Sequence, residues 1–124
     1  MARMTQQQLD EFMDGPDHKD TMILSIARPQ RGPLSVPLSF RWDGGAIRFS
    51  TKRSRLHTQA FLVAGRATAM IHHEEYGPGR QLERYVTIEG PVTISAGPNG
   101  DPNAFVEAVL TAESVIGVIY DFSD

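Results

Sequence analysis

The sequence contains no cysteine, so disulfide bonds, thiolate metal sites and cysteine nucleophiles are excluded. A chain without disulfides fits a reducing compartment, and we expect a cytoplasmic protein. An excess of positive charge is missing as well, because 12 lysines and arginines stand against 15 aspartates and glutamates, giving a net charge of −3. We therefore expect neither nucleic acid nor a membrane surface as a partner, and any anion-binding site has to be local.

Long apolar runs are also absent. No stretch approaches the length of a membrane span, and the N-terminal residues MARMTQQQLDEF lack the apolar region of a signal peptide. What remains is an ordinary globular composition, 40% hydrophobic and 22% charged, in 124 residues. This length predicts one domain covering residues 1–124, and no internal repeat or linker interrupts it.

The clearest secondary-structure signal is a period-2 pattern in residues 34–42. Every even position in this segment is apolar, as expected for a strand with one buried face. Pro37 lies on the polar face and has no N–H to donate, so the strand is predicted to lie at a sheet edge. The letters DGG that follow predict a hairpin turn into a second strand at 46–51.

Further strands and three short helices complete the prediction. The other strands are expected at 21–27, 67–72, 85–94 and 114–120. The helices are expected after the capping box of Thr5 and Gln8, at 54–64 between Ser54 and Gly65, and after Asp101 and Pro102, where Phe105, Val106, Val109 and Leu110 supply the apolar face. Six strands joined mostly by short loops indicate a small antiparallel barrel rather than a parallel α/β sheet.

A concentration of positive charge lies in residues 50–61, STKRSRLHTQAF, at the end of a predicted strand and the start of a predicted helix. Hydroxyl groups, the free amides of a helix N-terminus and cationic side chains are groups that bind anions in proteins. The segment is therefore a candidate for a local anion site. The alternative is a solvated charged surface without a ligand.

Three blocks of sequence, in this order and spacing, resemble one known family: PLSVPLSFRWDGGAIRFST at 33–51, AFLVAGRATAMI at 60–71 and RYVTIEGPVTI at 84–94. They are similar to the flavin-reductase-like split β-barrels of the pyridoxamine 5′-phosphate oxidase type, including the branch that uses a deazaflavin coenzyme. The resemblance covers nearly the whole chain. It implies a mainly β split barrel of about six antiparallel strands and a homodimer, with FMN or the deazaflavin coenzyme in a groove between the two chains.

The resemblance also implies an activity and a set of binding residues. The ring would rest against the backbone of the edge strand, and the phosphate would be held where the next strand ends and the helix begins. These positions correspond to Val36, Pro37 and Leu38 for the ring and to Ser50, Thr51, Lys52 and Arg55, with Arg53 nearby, for the phosphate. The implied reaction is hydride transfer involving a small planar substrate. Because the cofactor carries that chemistry, no carboxylate pair or nucleophile triad is required, and the sequence contains no candidate for either.

His57 leaves a second interpretation open. The family's lysine and asparagine in the helix are replaced here by His57 and Ala60. An unperturbed histidine is mostly neutral at pH 7, so it offers less charge to a phosphate than a lysine. Related split barrels also bind heme, and a neutral imidazole beside arginine and lysine could ligate heme iron, with His72 or His73 in reserve. A third interpretation is a barrel that has lost its cofactor and binds an apolar ligand or nothing.

The run from His72 to Glu75, HHEE, has the composition of a metal site. Consecutive residues of a strand point to opposite faces, so His72 and His73 would not bind one ion. An exposed strand end without a metal is the expectation.

Overall fold

The computed structural model describes residues 1–15, 21–95 and 100–124. Two helices and nine strands lie in these residues. The helices are α1 (Gln6–Asp14) and α2 (Leu56–Ala64). The strands are β1 (Ala2–Arg3), β2 (Thr21–Ile26), β3 (Leu34–Ser39), β4 (Arg41–Trp42), β5 (Ala46–Lys52), β6 (Arg66–Gly77), β7 (Arg80–Ile94), β8 (Phe105–Thr111) and β9 (Ser114–Asp121). No helix in the described part of the chain is long and apolar enough to cross a membrane.

The strands form one antiparallel sheet that curls into a split barrel. Its order is β3-β2-β6-β7-β8-β5-β4, and β9 pairs with both β7 and β1. β7 is the branch point, because its residues 82–89 pair with β9 whereas its residues 92–94 pair with β8. The predicted antiparallel barrel is therefore confirmed. The described residues add β1 and β8 to the six predicted strands, and the strand predicted at 34–42 is divided into β3 and β4.

Gly90 allows the branch in β7. A Cβ atom at this position would lie 1.8 Å from the carbonyl oxygen of Thr111, the last residue of β8 before the turn into β9. The same turn is held to β7 by a hydrogen bond of 2.9 Å, which the backbone N–H of Glu113 donates to the carbonyl of Glu89. Only a residue without a side chain permits this close approach.

The third predicted helix is wrong, because these residues form strand β8. Val106, Ala108 and Leu110 are buried and the residues between them are less so, which is the period of a strand. All seven residues of β8 pair with β5. Before the strand, the carboxylate of Asp101 accepts a hydrogen bond of 2.8 Å from the backbone N–H of Asn103, which closes a turn instead of capping a helix.

The N-terminal helix agrees with its prediction. In α1 the side chain of Thr5 accepts a hydrogen bond from the backbone of Gln8, and the side chain of Gln8 accepts one from the backbone of Thr5. These two contacts form the predicted capping box. Phe12 and Met13 are buried in the same apolar cluster as residues of the sheet, so this helix contributes to the core.

Helix α2 agrees only in part. It ends as predicted at Gly65, which adopts a left-handed conformation (φ +73°). Its N-cap, however, is Arg55 and not Ser54, and no side chain caps it. The apolar residues of α2 differ in burial: Phe61 is fully buried, whereas Val63 is 76% exposed. The ring of Phe61 meets that of Phe49 edge-on at 6.0 Å and joins α2 to the core.

The turn into β5 has the predicted form, although only the two residues of β4 pair with β5. β3 pairs with β2 and ends the described sheet, and Pro37 is exposed on its polar face, as expected for an edge strand. In the turn, the Asp43 carboxylate accepts hydrogen bonds from the backbone N–H groups of Gly45 and Ala46. Gly44 adopts a φ of +87°, which glycine tolerates better than other residues. The turn fixes the register of β4 on β5.

Candidate functional site

The end of β5 and the start of α2 are joined by a buried hydroxyl pair. The side chain of Thr51 is 3% exposed, and its Oγ1 lies 2.6 Å from Oγ1 of Thr58, which is fully buried. The same Thr51 oxygen lies 3.0 Å from Nε2 of His57. These two contacts engage the Thr51 hydroxyl within the protein and hold the His57 ring beside β5.

The predicted phosphate residues do not share one face of β5. Thr51 points inward with Phe49, whereas Ser50 and Lys52 belong to the opposite, more exposed face. The hydroxyl groups of Ser50 and Thr51 therefore cannot both meet one phosphate on the outer face. Lys52 remains close to the strand, where its Nζ lies 4.7 Å from the centre of the Phe105 ring, within the range of a cation–π contact.

One groove is lined by a single residue from each part of the predicted site. It has a volume of about 390 Å³ and lies between the β3–β4 segment and β5. Its lining residues are Leu38, Ser39, Phe40, Arg41, Arg48, Phe49 and Ser50. Leu38 comes from the strand predicted to carry the ring and Ser50 from the strand end predicted to hold the phosphate. Val36 and Pro37 lie further along β3, half-buried and exposed respectively.

Two arginines of this groove are paired with carboxylates. Arg48 donates hydrogen bonds to Asp43 and, at 2.7 Å, to Glu107. A nitrogen of Arg41 lies 3.5 Å from the other oxygen of Glu107. The hydrogen bond from Arg48 is the main reason why the pKa of Asp43 lies below its usual value, so this carboxylate is ionised at neutral pH. Much of the positive charge on the groove wall is thus balanced.

The remaining predicted cations lie around the start of α2. Arg55 is exposed at the N-cap of the helix. Arg53 donates a hydrogen bond of 3.4 Å to the carbonyl of Ser95. The side chain of the N-cap residue does not cap α2, and among the described residues no side chain accepts a hydrogen bond from the amides of its first turn, which is the arrangement found at anion sites on helix N-termini.

The protonation of the His57 imidazole is determined by its surroundings. Burial lowers the pKa of this imidazole, and the positive charge of the nearby Arg55 lowers it further. At neutral pH the ring is therefore uncharged. An uncharged imidazole has one donor and one acceptor nitrogen, and the contact with Thr51 occupies Nε2.

The structure places residues in the site that the sequence did not single out. Arg48 lies two residues before Ser50 in β5 and therefore on the same face, so the alternation of the strand was enough to identify it. Glu107 enters from β8, directly across from Ser50, and requires the strand register. Thr58 resembles any helical threonine in sequence, and only the structure reveals its contact with Thr51.

Comparison with solved structures finds the same fold in several proteins. A FAD-binding protein from Mesorhizobium loti aligns with a TM-score of 0.76 over 96% of this chain and 97% of that chain, at 12% identity. A proposed pyridoxamine 5′-phosphate oxidase from Corynebacterium glutamicum aligns with 0.65 over 99% and 95%, at 12% identity. The flavocytochrome Anf3 from Azotobacter vinelandii aligns with 0.72 over 97% and 71%, at 9% identity. No protein-family model and no curated protein sequence matches the chain.

These alignments define the class of fold. The chain has the split β-barrel fold shared by FAD-binding proteins and proteins of the pyridoxamine 5′-phosphate oxidase type. The fold expected from the three sequence blocks is thus confirmed. The identities of 9–12% make this a likeness of fold, and the function has to be argued from the site.

Proposed function

We propose that the chain is an oxidoreductase that binds a flavin-type cofactor, FMN or the deazaflavin coenzyme, and works as a homodimer on a small planar substrate. One observation carries the proposal. In a fold shared with FAD-binding proteins, a single groove is lined both by Leu38 of the predicted ring strand and by Ser50 of the predicted phosphate segment. When bound, the cofactor supplies the hydride chemistry, and the protein holds and orients it.

The ring is assigned to the edge strand β3. An edge strand has backbone N–H and C=O groups without a strand partner on one side, and these can bind the polar edge of a planar ligand. Val36 and Leu38 are half-buried beside that edge. They offer apolar contact to a flat ring, and Pro37 between them limits the strand's own mobility.

The phosphate is assigned to Ser50, Lys52 and the N-terminus of α2. Ser50 and Lys52 lie on the outer face of β5, and Arg55 is exposed at the helix start. A hydroxyl donor, two cations and free helix amides together suit a phosphate group. Thr51 is given an indirect role, because its hydroxyl is engaged by Thr58 and His57.

The proposed dimer has support from an exposed apolar row on the sheet. Ile23 pairs with Met70, and further across the sheet Thr87 pairs with both Met70 and Ile116. The three apolar residues are each exposed by 36–39%. Exposed apolar side chains grouped on one sheet face favour protein association, and a second copy is the occupant that the resemblance implies.

Cofactor titration tests the proposal. Purified chain is titrated with FMN and then with the deazaflavin coenzyme, and absorbance and fluorescence are followed. Saturable binding of either, with one site per chain, supports the proposal. Ser50→Asp should weaken binding at least tenfold, because it places a carboxylate against the phosphate. Thr111→Asp adds the same charge at the opposite end of the β5–β8 ladder and should leave the affinity unchanged. Equal affinities for both variants would contradict the assigned groove.

Heme is the second candidate ligand. The low pKa of His57 keeps the imidazole neutral, as iron ligation requires, and one of the proteins with this fold is a flavocytochrome. Against it, Nε2 of His57 is held by Thr51, so binding through that atom has to break the contact. A heme titration with a sharp Soret band that disappears in the triple variant His57→Ala, His72→Ala, His73→Ala would favour this candidate. An unchanged band in that variant would exclude these ligands.

A further inference from the structure

The outer face of the β6–β7 hairpin carries a compact group of three ligand-bearing side chains. They are His72 and Glu74 of β6 and Glu83 of β7, with one potential ligand atom from each within 4.8 Å of the others. Nε2 of His72 lies 3.6 Å from Oε1 of Glu74 and 3.9 Å from Oε1 of Glu83. All three side chains are partly exposed, so an ion could reach them from solvent.

Strand register explains why these side chains converge. His72 and Glu74 are two positions apart in β6 and therefore share a face. Glu83 is directly opposite Glu74 in the antiparallel ladder. His73 and Glu75 point to the other face, so the expectation that His72 and His73 would not share an ion agrees with the structure. The third ligand comes from the neighbouring strand.

The charges on the two faces of the hairpin differ. On the inner face, Glu75 is paired with Arg80 and Arg84. On the outer face, the only basic side chain of the described residues within ion-pair distance of Glu74 or Glu83 is the imidazole of His72. Carboxylates directly opposite each other in an antiparallel ladder are unfavourable, and a cation bound between them would relieve this.

The orientation of Glu74 also suits an ion. The hydroxyl of Tyr76 donates a hydrogen bond of 2.8 Å to Oε2 of Glu74, whose other oxygen, Oε1, lies toward His72. Such an outer contact fixes the direction of a metal ligand.

We propose that His72, Glu74 and Glu83 form a binding site for a divalent transition-metal ion, with Zn²⁺ as the best fit. An imidazole nitrogen and two carboxylate oxygens are ligands that Zn²⁺ accepts, and water completes a four-coordinate ion. Ligand distances of about 2.0–2.1 Å place tetrahedral donors roughly 3.3 Å apart. The observed 3.6 and 3.9 Å are close to this separation, so small side-chain rotations close the site. Mg²⁺ and Ca²⁺ prefer oxygen ligands and should bind far less well.

The test is isothermal titration calorimetry of the full chain with ZnCl₂, together with thermal unfolding with and without the ion. The expected result is one Zn²⁺ per chain and a higher Tm in its presence. His72→Gln and Glu83→Gln should each weaken binding at least tenfold and remove the Tm increase. His73→Gln, which changes the neighbouring residue on the opposite face, should retain both.

Glu83→Gln provides a second readout, the Tm of the metal-free protein. The variant is nearly isosteric and removes one of the two facing carboxylates, so without metal it should have a Tm at or above that of the wild type. Higher stability without Zn²⁺ combined with loss of the Zn²⁺ response supports the site. Zn²⁺ binding that survives in both His72→Gln and Glu83→Gln, or is lost only in His73→Gln, overturns the proposal. So does the absence of any Zn²⁺ binding to the wild-type chain.

Discussion

Replacement of Gly90 by alanine is expected to be among the most destabilising single changes in this protein. The new methyl group would lie 1.8 Å from the carbonyl oxygen of Thr111, 3.0 Å from its carbonyl carbon and 3.2 Å from the backbone nitrogen of Glu113. All three neighbours are backbone atoms, so no flexible side chain can move away. Relief of the contact requires the β8–β9 turn to shift by more than 1 Å relative to β7.

The magnitude follows from what that shift would disturb. Overpacking in a well-packed region costs about 1–3 kcal/mol when side chains can adapt. Here the backbone has to move, and the hydrogen bond from Glu113 to Glu89 is strained with it. We therefore expect a loss of about 3 kcal/mol or more in the free energy of unfolding. That is a large part of the roughly 5–15 kcal/mol that stabilises a typical domain.

Urea denaturation followed by far-UV circular dichroism measures this change. The matched control is Gly45→Ala, because a Cβ atom at Gly45 has no neighbour within 4 Å. The control should remain within about 1 kcal/mol of the wild type. Suppose that the free energies of unfolding of Gly90→Ala and of the control differ by less than about 0.5 kcal/mol, which is roughly the error of such comparisons. That result would show that the close approach at the branch of β7 is not structurally important.

Three further predictions concern the junction of β5 and α2. Thr58→Val keeps the shape of the buried side chain but removes its hydroxyl, so the free energy of unfolding should fall by about 1–2 kcal/mol in urea denaturation; no loss would mean that the bond to Thr51 contributes nothing. His57→Lys should tighten FMN binding in a fluorescence titration, because it restores a full positive charge near the proposed phosphate site, and unchanged affinity would count against that placement. Because the pKa of His57 is lowered in the folded state, the unfolded chain takes up its proton first, and this residue should make stability fall as the pH drops below about 6.5. Urea titrations at several pH values should show a shallower dependence for His57→Gln; an equal slope would refute the assignment.

The predictable parts of the fold are those fixed by local patterns. The period-2 alternation and Pro37 correctly predicted an edge strand at β3, the DGG turn correctly predicted the reversal into β5, and the capping box correctly predicted α1. In residues 105–111 two periods compete. Phe105, Val106, Val109 and Leu110 fit a helix, while Val106, Ala108 and Leu110 fit a strand. Pairing with β5 stabilises the strand rather than the helix. The sequence of the segment alone does not contain that information.

The candidate site was predictable in location but not in arrangement. The hydroxyl and basic residues of 50–57 do lie at the junction of a strand and a helix. The strand's own alternation separates Thr51 from Ser50, which the resemblance had placed together as phosphate ligands. Partners from distant strands, such as Glu107 across from Ser50 and Glu83 across from Glu74, depend on register. Register is set by the whole barrel and cannot be derived from either segment.

The long hairpin of β6 and β7 has a consequence for how the chain folds. Its two strands are joined by Pro78 and Gly79 and pair over twelve residues, so most of its contacts close short loops. The ladder between β5 and β8 instead joins residues more than fifty positions apart, from Lys52 with Phe105 onward. Loop closure of that length is slow relative to a hairpin. We expect the β6–β7 hairpin to be structured in the folding transition state, so that changes there slow folding, whereas changes in β8 mainly accelerate unfolding.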